Sequence, residues 1–201
     1  MSTQQRYLNT LRGVLREFGI AVELPAATRP LLAQMLSEVK ELEHRIEQIE
    51  RELAALTRAD PVVRQLRQIP GIGLLSSTAI RAAVGNVERF DCGRSFASWL
   101  GLTPREYSSG ERRRLGGISK RGDVYLRTLL VHGARSALLA AHRQQRTGHP
   151  LDQLRQWALQ CERQRGHNVA TVALANRLAR IVWATWKHGR AFDGNWGSLA
   201  Q

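Results

Sequence analysis

Two adjacent serines, Ser108 and Ser109, stand before Gly110 in an arginine-rich part of the chain. The surrounding residues 101–123 hold six basic side chains: Arg105, Arg112, Arg113, Arg114, Lys120 and Arg121. A serine hydroxyl is a weak nucleophile until a base or a desolvated, positively charged site assists it. Its attack on a phosphodiester builds negative charge on the phosphate oxygens, which clustered guanidinium groups can stabilise. These residue types therefore fit covalent chemistry on a nucleic-acid phosphate.

The same stretch fits plain binding of a phosphate backbone equally well. A loop of glycine, serine and arginine more often grips phosphate than reacts with it. No histidine close in sequence offers itself as a base, and His132 is the nearest. On the residues alone, a catalytic loop and a purely binding loop both stay open.

A second phosphate-binding element is predicted at Ile69-Pro70-Gly71-Ile72-Gly73. A short helix enters this turn and an apolar helix leaves it to end at Gly85, which is the pattern of a helix-hairpin-helix. Gly71 and Gly73 let the backbone turn tightly and present N–H groups, and the next helix directs its positive end to the same place. A phosphodiester oxygen fits there without any base being read. The alternatives are a structural turn between helices or a protein contact, and Ser77 departs from the small apolar residue usual in such hairpins.

The clearest periodicity in the sequence predicts a long helix with a narrow apolar seam. The seam residues alternate spacings of three and four: Leu32, Met35, Val39, Leu42, Ile46, Ile49, Leu53 and Leu56. A helix packed on its own domain needs a wider apolar stripe, so the pattern favours a coiled coil, within the chain or between chains. One long helix lying on its own domain stays open as the alternative. Because the segment is rich in acid, it is a poor candidate for touching phosphate.

The charge balance indicates a polyanionic partner. Thirty Lys and Arg face 17 Asp and Glu, which gives a formal charge of +13 and a pI near 11.3. Arginine predominates, and its planar fork grips two phosphate oxygens at once, so nucleic acid is favoured over an anionic membrane. No apolar run approaches the roughly 18–20 residues that span a bilayer, and the start lacks a secretory segment. We expect a cytoplasmic, nucleoid-associated protein, with Cys92 and Cys161 reduced.

The periodicities together predict an all-α fold in three parts. Residues 1–28 form an N-terminal helix and linker, 29–58 the coiled-coil segment, and 59–201 a compact helical domain. That domain contains the helix-hairpin-helix and the serine loop. No window alternates with period two for long enough to predict a strand.

The order of several motifs resembles a known family. These motifs are Ile69-Pro70-Gly71-Ile72-Gly73, then Phe90, Trp99-Leu100-Gly101-Leu102-Thr103-Pro104, Tyr107-Ser108-Ser109-Gly110, Ile118-Ser119-Lys120-Arg121-Gly122-Asp123, Leu126-Arg127, and the late helix 175–183. Over roughly 6–190 the chain is similar to the C-terminal, serine-bearing domain of insertion-sequence transposases related to Piv-type DNA invertases. This is the bridge-RNA-guided recombinase type.

The resemblance implies more than the residues alone. Members of the family pair an N-terminal RNase-H-like domain, which bears a DEDD set of acidic metal ligands, with this helical domain and its serine. Some use a structured RNA encoded by the element to choose DNA by base pairing. The family's serine corresponds to Ser109, with Ser108 and Ser119 as alternates. The predicted nucleic-acid-binding residues are Gly71, Gly73, Arg105, Arg112, Arg113, Arg114, Lys120, Arg121 and Arg127.

One departure from the family pattern limits the expected activity. Nothing upstream of residue 6 could be the DEDD domain, and the acids of 38–52 lie on the heptad helix. We therefore expect no cofactor in this chain, with Mg²⁺ arriving only with the absent DEDD domain, and no strand cleavage by this chain alone. The expected function is the DNA-binding part of a transposase or recombinase. Its partners would be DNA, a structured guide RNA and, through the coiled coil, further copies of itself.

Two other classes of function stay open. The first is a non-catalytic DNA- or RNA-binding module, or a regulator derived from such a transposase. The second is a coiled-coil adaptor that binds protein and is basic only for solubility. Such an adaptor would show no salt-dependent affinity for a polyanion.

Overall fold

The computed structural model of the chain describes residues 29–107 and 114–195. Within these ranges seven α-helices make up most of the structure, so the all-α prediction is confirmed. The elements are α1 (Arg29–Thr57), α2 (Pro61–Leu66), α3 (Leu74–Val84), a 3₁₀ turn (Val87–Arg89), α4 (Gly93–Trp99), β1 (Pro104–Glu106), β2 (Leu115–Ile118), α5 (Val124–Arg146), α6 (Gln153–Arg165) and α7 (His167–His188). The predicted N-terminal helix lies outside the described residues.

The chain divides into two units, residues 1–49 and 50–201, and the boundary falls inside α1. This helix runs unbroken for 29 residues, as the heptad pattern predicts. Six of its apolar seam residues are exposed in the single chain, from 45% at Val39 to 81% at Leu56, whereas Leu53 is half-buried. The coiled coil and its alternative, one long helix lying on its own domain, both stay predictions. The predicted domain limits at 28/29 and 58/59 stay predictions.

The core of the second unit is built around α7. This helix packs against α4, α5 and α6. It buries Leu174, Leu178 and Val182 completely or almost so, and the alanines between them allow neighbouring helices to approach closely. Each such side chain contributes about 1.5–3 kcal/mol when it leaves water. The helical body is therefore rigid enough to hold surface loops in fixed positions.

Aspartates set the starts of three helices. Asp60 accepts hydrogen bonds from the N–H groups of Val62 and Val63 at the start of α2. Asp123 and Asp152 cap α5 and α6 in the same way. A side-chain cap of this kind is worth about 1 kcal/mol because it satisfies amides that the helix leaves without partners.

Glu162 joins three helices through two histidines. Its carboxylate accepts hydrogen bonds from Nε2 of His142 on α5, at 2.6 Å, and from Nδ1 of His167 on α7, at 2.7 Å. Burial by itself would raise the pKa of the Glu162 carboxyl, but the two hydrogen bonds outweigh it and hold the pKa below its ordinary 4.5. The carboxylate therefore stays charged at neutral pH and ties α5, α6 and α7 together.

The turn between α2 and α3 packs against α5 through main-chain atoms on both sides. Gly71 has φ +85°, and a Cβ built on it would lie 2.4 Å from the carbonyl oxygen of Gly133. A Cβ on Gly133 would in turn lie 2.0 Å from the carbonyl oxygen of Gly71. Only two glycines allow this approach, because a side chain on either one would collide with main chain that cannot move aside.

A small antiparallel hairpin is the main departure from the sequence prediction. β1 pairs with β2 in the register Pro104↔Ile118 and Glu106↔Leu115, with an irregularity between the two pairs. The strands are three and four residues long. Strands this short, one of them holding Gly116 and Gly117, leave no readable alternation in the sequence. The basic stretch is thus a hairpin projecting from a helical body.

We predict that Gly133→Ala destabilises the second unit by about 2–3 kcal/mol, because its methyl group would overlap the Gly71 carbonyl. Urea unfolding followed by circular dichroism measures the change. The matched control is Gly117→Ala, since a Cβ there meets nothing within 4 Å, and it should stay within about 0.5 kcal/mol of wild type. Equal stability of the two variants would contradict the close approach.

Candidate nucleic-acid interface

The predicted serine loop is flanked by the two strands of the hairpin. Ser108 and Ser109, with Arg112 and Arg113, lie in residues 108–113, outside the described residues. The backbone N–H of Tyr107 donates to the carbonyl of Arg114 at 2.8 Å, so the loop leaves and re-enters the hairpin at facing positions. The structure therefore fixes the two ends between which the serines lie.

The base of the hairpin is fixed to the helical body by two glycines. Gly101 has φ +71°, and a Cβ on it would lie 2.2 Å from the Arg121 carbonyl oxygen. Gly122 has φ +118°, and its Cβ would lie 2.0 Å from the Trp99 carbonyl oxygen. The segments that enter and leave the hairpin thus touch through main-chain atoms. They are also joined by a hydrogen bond from the Lys120 N–H to the Gly101 carbonyl at 3.1 Å.

Two helices hold the entering segment from the other side. Asn176 of α7 donates from Nδ2 to the carbonyl of Leu102 at 2.9 Å, and Arg127 of α5 donates to the carbonyl of Leu100 at 3.2 Å. Leu100 and Leu102 are both buried, so these carbonyls need internal donors. Arg127 therefore has a structural task, and its predicted contact with nucleic acid stays a prediction.

The remaining basic side chains of this stretch face solvent. Arg105, Arg114, Lys120 and Arg121 are exposed. The guanidinium of Arg105 donates to the carbonyl of Ser119 at 3.3 Å, across the hairpin. Ser119, the third candidate nucleophile, is half-buried, and its backbone N–H donates to the Thr103 carbonyl at 2.8 Å. These positions give the hairpin a positive surface on either side of residues 108–113.

The helix-hairpin-helix glycines have different environments. Gly71 serves the close approach to α5, whereas Gly73 is exposed and a Cβ on it would meet nothing within 4 Å. Gly73 begins α3 with no side-chain cap. Ser77, the departure noted in the sequence, is buried and donates its hydroxyl to the carbonyls of Gly73 and Leu74, each at 2.9 Å. Of the two glycines, Gly73 is the one placed where a phosphate could approach.

A groove of about 830 Å³ runs between the hairpin and helices α6 and α7. Three cationic side chains line it, Lys120, Arg177 and Arg180, and no Asp or Glu does among the residues that the structure describes. Arg177 lies over the ring of Trp157, with its guanidinium carbon 4.6 Å from the ring centroid. Burial, and after it the charge of Arg180, lower the pKa of Arg177. Two like charges held together at the rim of a groove favour an anion between them.

Sequence reasoning did not single out Arg177 and Arg180 as site residues. The available signal was a pair of arginines three residues apart on an otherwise apolar helix, a spacing that puts both on one face. Nothing in the sequence showed that this face would be turned toward the hairpin.

Across 29–107 and 114–195, no group of three or more His, Cys, Asp or Glu side chains could hold a metal ion. In the same part of the chain, no helix has the length and hydropathy to cross a bilayer.

Comparison with known proteins finds similarity to a transposase family and to individual transposases. Residues 63–149 match the model of the transposase IS116/IS110/IS902 family. This range extends from within α2, through the β1–β2 hairpin, to just beyond α5. The structure of the matched region is thus the α-helical scaffold with the basic hairpin that it carries.

Individual relatives are similar over nearly the whole chain. A probable family 20 transposase of Pseudomonas aeruginosa is 40% identical over 88% of this chain and 56% of its own length. The transposase for insertion sequence element IS1111A of Coxiella burnetii is 35% identical over 88% and 52%. The transposase for insertion sequence element IS1328 of Yersinia enterocolitica is 34% identical over 92% and 59%. The chain spans about half the length of the curated relatives it matches.

We predict that Asn176→Ala loosens the hairpin while leaving the helical body folded. The change leaves the buried carbonyl of Leu102 without its donor, at a cost of about 1–3 kcal/mol. Limited digestion with trypsin should then cut at Lys120 and Arg121 about fivefold faster or more. The matched control is Asn168→Ala, since Asn168 is exposed on the same helix. Unchanged digestion of Asn176→Ala would show that α7 does not hold the hairpin.

Proposed function

We propose that this chain is the DNA-binding part of an insertion-sequence transposase, in which Ser109 attacks a DNA phosphodiester during strand exchange. The observation that carries the proposal is the hairpin fixed at its base to the helical body, which carries exposed cationic side chains at Arg105 on β1, at Arg114 just before β2, and at Lys120 and Arg121 just after it. The transposase relatives and the match over residues 63–149 support the same class.

The proposed reaction is a transesterification. The Ser109 oxygen forms a bond to phosphorus, the bond from phosphorus to one neighbouring nucleotide oxygen breaks, and the leaving oxygen takes up a proton. The serine gives up its own proton to a base. Because one phosphodiester replaces another, the link is reversible and strands can be exchanged without an external energy source. Arg105 lies on β1 and Arg114 immediately precedes β2, and both would stabilise the charge on the phosphate oxygens.

The family resemblance associates this chemistry with Mg²⁺ held by a DEDD set of acids. The described residues do not fit such a site, because they contain no cluster that could hold a metal ion. We therefore derive no step through a metal from this chain. Association with a DEDD-bearing domain, and with a guide RNA, are parts of the proposal that rest on the resemblance.

We further propose that the chain forms a homo-oligomer through α1. Exchange of two DNA ends needs more than one active site, and the exposed heptad seam offers a surface for self-association. Five consecutive seam residues are about half exposed or more: Met35, Val39, Leu42, Ile46 and Ile49. A single chain leaves this stripe in water, and a second copy would cover it.

A non-catalytic DNA- or RNA-binding regulator is the second candidate function. The observation that favours it is that the described residues supply cationic surfaces and no metal-binding cluster. Both candidates bind nucleic acid with a strong salt dependence, whereas a protein-binding adaptor would not. Only the first candidate forms a covalent link to DNA.

We predict that Ser109→Ala abolishes both recombination and the covalent adduct, while DNA affinity changes by less than about twofold because no charge is lost. Recombination is measured in cells with the full-length transposase and a plasmid-borne element. The adduct is measured by retention of labelled DNA on denaturing gels. Ser108→Ala and Ser119→Ala are the matched controls and should keep both activities. Recombination by Ser109→Ala would remove Ser109 as the nucleophile.

A second prediction concerns the seam. Ile46→Glu places a carboxylate in the middle of the proposed interface and should convert an oligomer into a monomer, because each pairing would bury two unpaired charges. Light scattering after size exclusion at micromolar protein measures the mass. Lys40→Glu introduces the same group outside the seam and should leave the mass unchanged. A wild-type chain that is already monomeric would refute self-association.

A further inference from the structure

We infer that the groove between the hairpin and α7 binds an unpaired DNA strand and takes one unstacked base into its apolar part. We call it the hairpin groove; Leu102, Pro104, Gly116, Gly117, Ile118, Lys120, Trp157, Asn168, Val169, Val172, Ala173, Asn176, Arg177 and Arg180 line it. The inference rests on the proposed function and adds to it the state of the DNA that reaches the serine loop.

The interior of the hairpin groove is mostly apolar. Val172 and Ala173 of α7 and Ile118 of β2 are among the residues that line it. Val169 is half exposed at the same surface. Stacking the flat face of a nucleobase on this apolar surface would remove both from water, which is energetically favourable. A site that binds only phosphate would not need an apolar surface.

The rim of the hairpin groove is positive. Arg177 lies over the ring of Trp157, and a guanidinium group in this position can still form the two-pronged contact with phosphate oxygens that arginine favours. Arg180 and Lys120 line the same groove. Charge complementarity therefore selects a polyanion, and the apolar interior selects one that carries bases.

The positive surface extends beyond the hairpin groove. A second cavity of about 280 Å³ shares Arg177 and Arg180 with it and adds His188 and Arg190, together with one acid, Asp193. Because the same two arginines line both cavities, cationic side chains continue from α7 to Arg190, just beyond its end. A linear chain of phosphates matches this arrangement better than a single anion.

The size of the hairpin groove favours unpaired over paired DNA. Clefts of about 300–1,000 Å³ enclose molecules the size of one nucleotide, whereas a duplex is far wider. The groove is lined in part by β2, the strand that follows residues 108–113. An unstacked base held here would bring its neighbouring phosphates toward the serine loop. Extruding a base costs a few kcal/mol, which stacking and phosphate contacts can return.

The test compares three fluorescent probes by anisotropy with the full chain. The probes are a single strand of about 12 thymidines, the same strand with abasic sites in place of bases, and a duplex. The wild type should bind the thymidine strand about tenfold more tightly than the abasic strand. Ala173→Trp, which fills the groove, should lose that preference and keep its duplex affinity within about twofold.

Charge is tested separately. Arg177→Met should weaken single-strand binding about tenfold and reduce the salt slope by about 0.7. The matched controls are Ala140→Trp and Arg165→Met, since Ala140 and Arg165 are exposed and line neither cavity. Both should bind as the wild type does. Thermal unfolding of each variant reports on folding, and if Ala173→Trp does not fold, the wild-type preference and Arg177→Met decide.

Several outcomes would overturn the inference. A wild type that ignores the presence of bases, or an Ala173→Trp variant that keeps the preference, would show that no base enters the groove. Tighter binding of a uridine strand, lost on Ala173→Trp, would assign the groove to RNA instead of DNA. If the wild type bound neither duplex nor single strand, the proposed function itself would fail. Normal duplex binding with no single-strand effect would defeat the groove alone.

Discussion

The hairpin depends on main chain lying directly against main chain at its base. Gly101 and Gly122 each lack room for a single added carbon, because carbonyl oxygens of Arg121 and Trp99 occupy that space. Such contacts tolerate almost no displacement, since neither side has a flexible side chain that could move away. A loop of arginine and glycine would otherwise sample many conformations. These contacts, together with the hydrogen bonds from Asn176 and Arg127, fix the base of the hairpin to the helical body.

The second unit uses many of its acids for structure. Asp60, Asp123 and Asp152 cap helices, and Glu162 joins three helices through two histidines. Glu88 pairs with Lys187 of α7. The carboxylates that cap helices or join one helix to another do not line the hairpin groove. The net positive charge of the chain is therefore concentrated on the surface around the hairpin groove.

The same helix, α7, serves packing and the proposed binding at once. One face buries Leu178 and Val182 in the core, while the adjoining face presents Asn176, Arg177 and Arg180 to the hairpin. Asn176 holds the hairpin backbone, and the two arginines line the space beside it. A ligand that fills this space would touch the element that positions the serine loop. Binding and positioning would then be coupled through one rigid element.

Several features could be predicted from the sequence because their causes are local. The all-α class follows from helical periodicity, the long α1 from its heptads, and the start of α2 from Asp60-Pro61. The basic, serine-bearing stretch and its family resemblance follow from residue types and their order. Helical spacing and capping depend on residues within one or two turns of one another, so both can be predicted from the sequence.

The tertiary structure alone decided which distant segments meet. The strands of the hairpin are too short to show a period, so only their mutual hydrogen bonds define them. Gly71 meets Gly133, and Arg177 meets the hairpin groove, because helices far apart in sequence pack on a shared core. The role of a glycine or an arginine in such a contact depends on what the opposite helix places there. For this reason the sequence predicts the serine loop from its residue types, whereas the groove beside it can be recognised only in the folded chain.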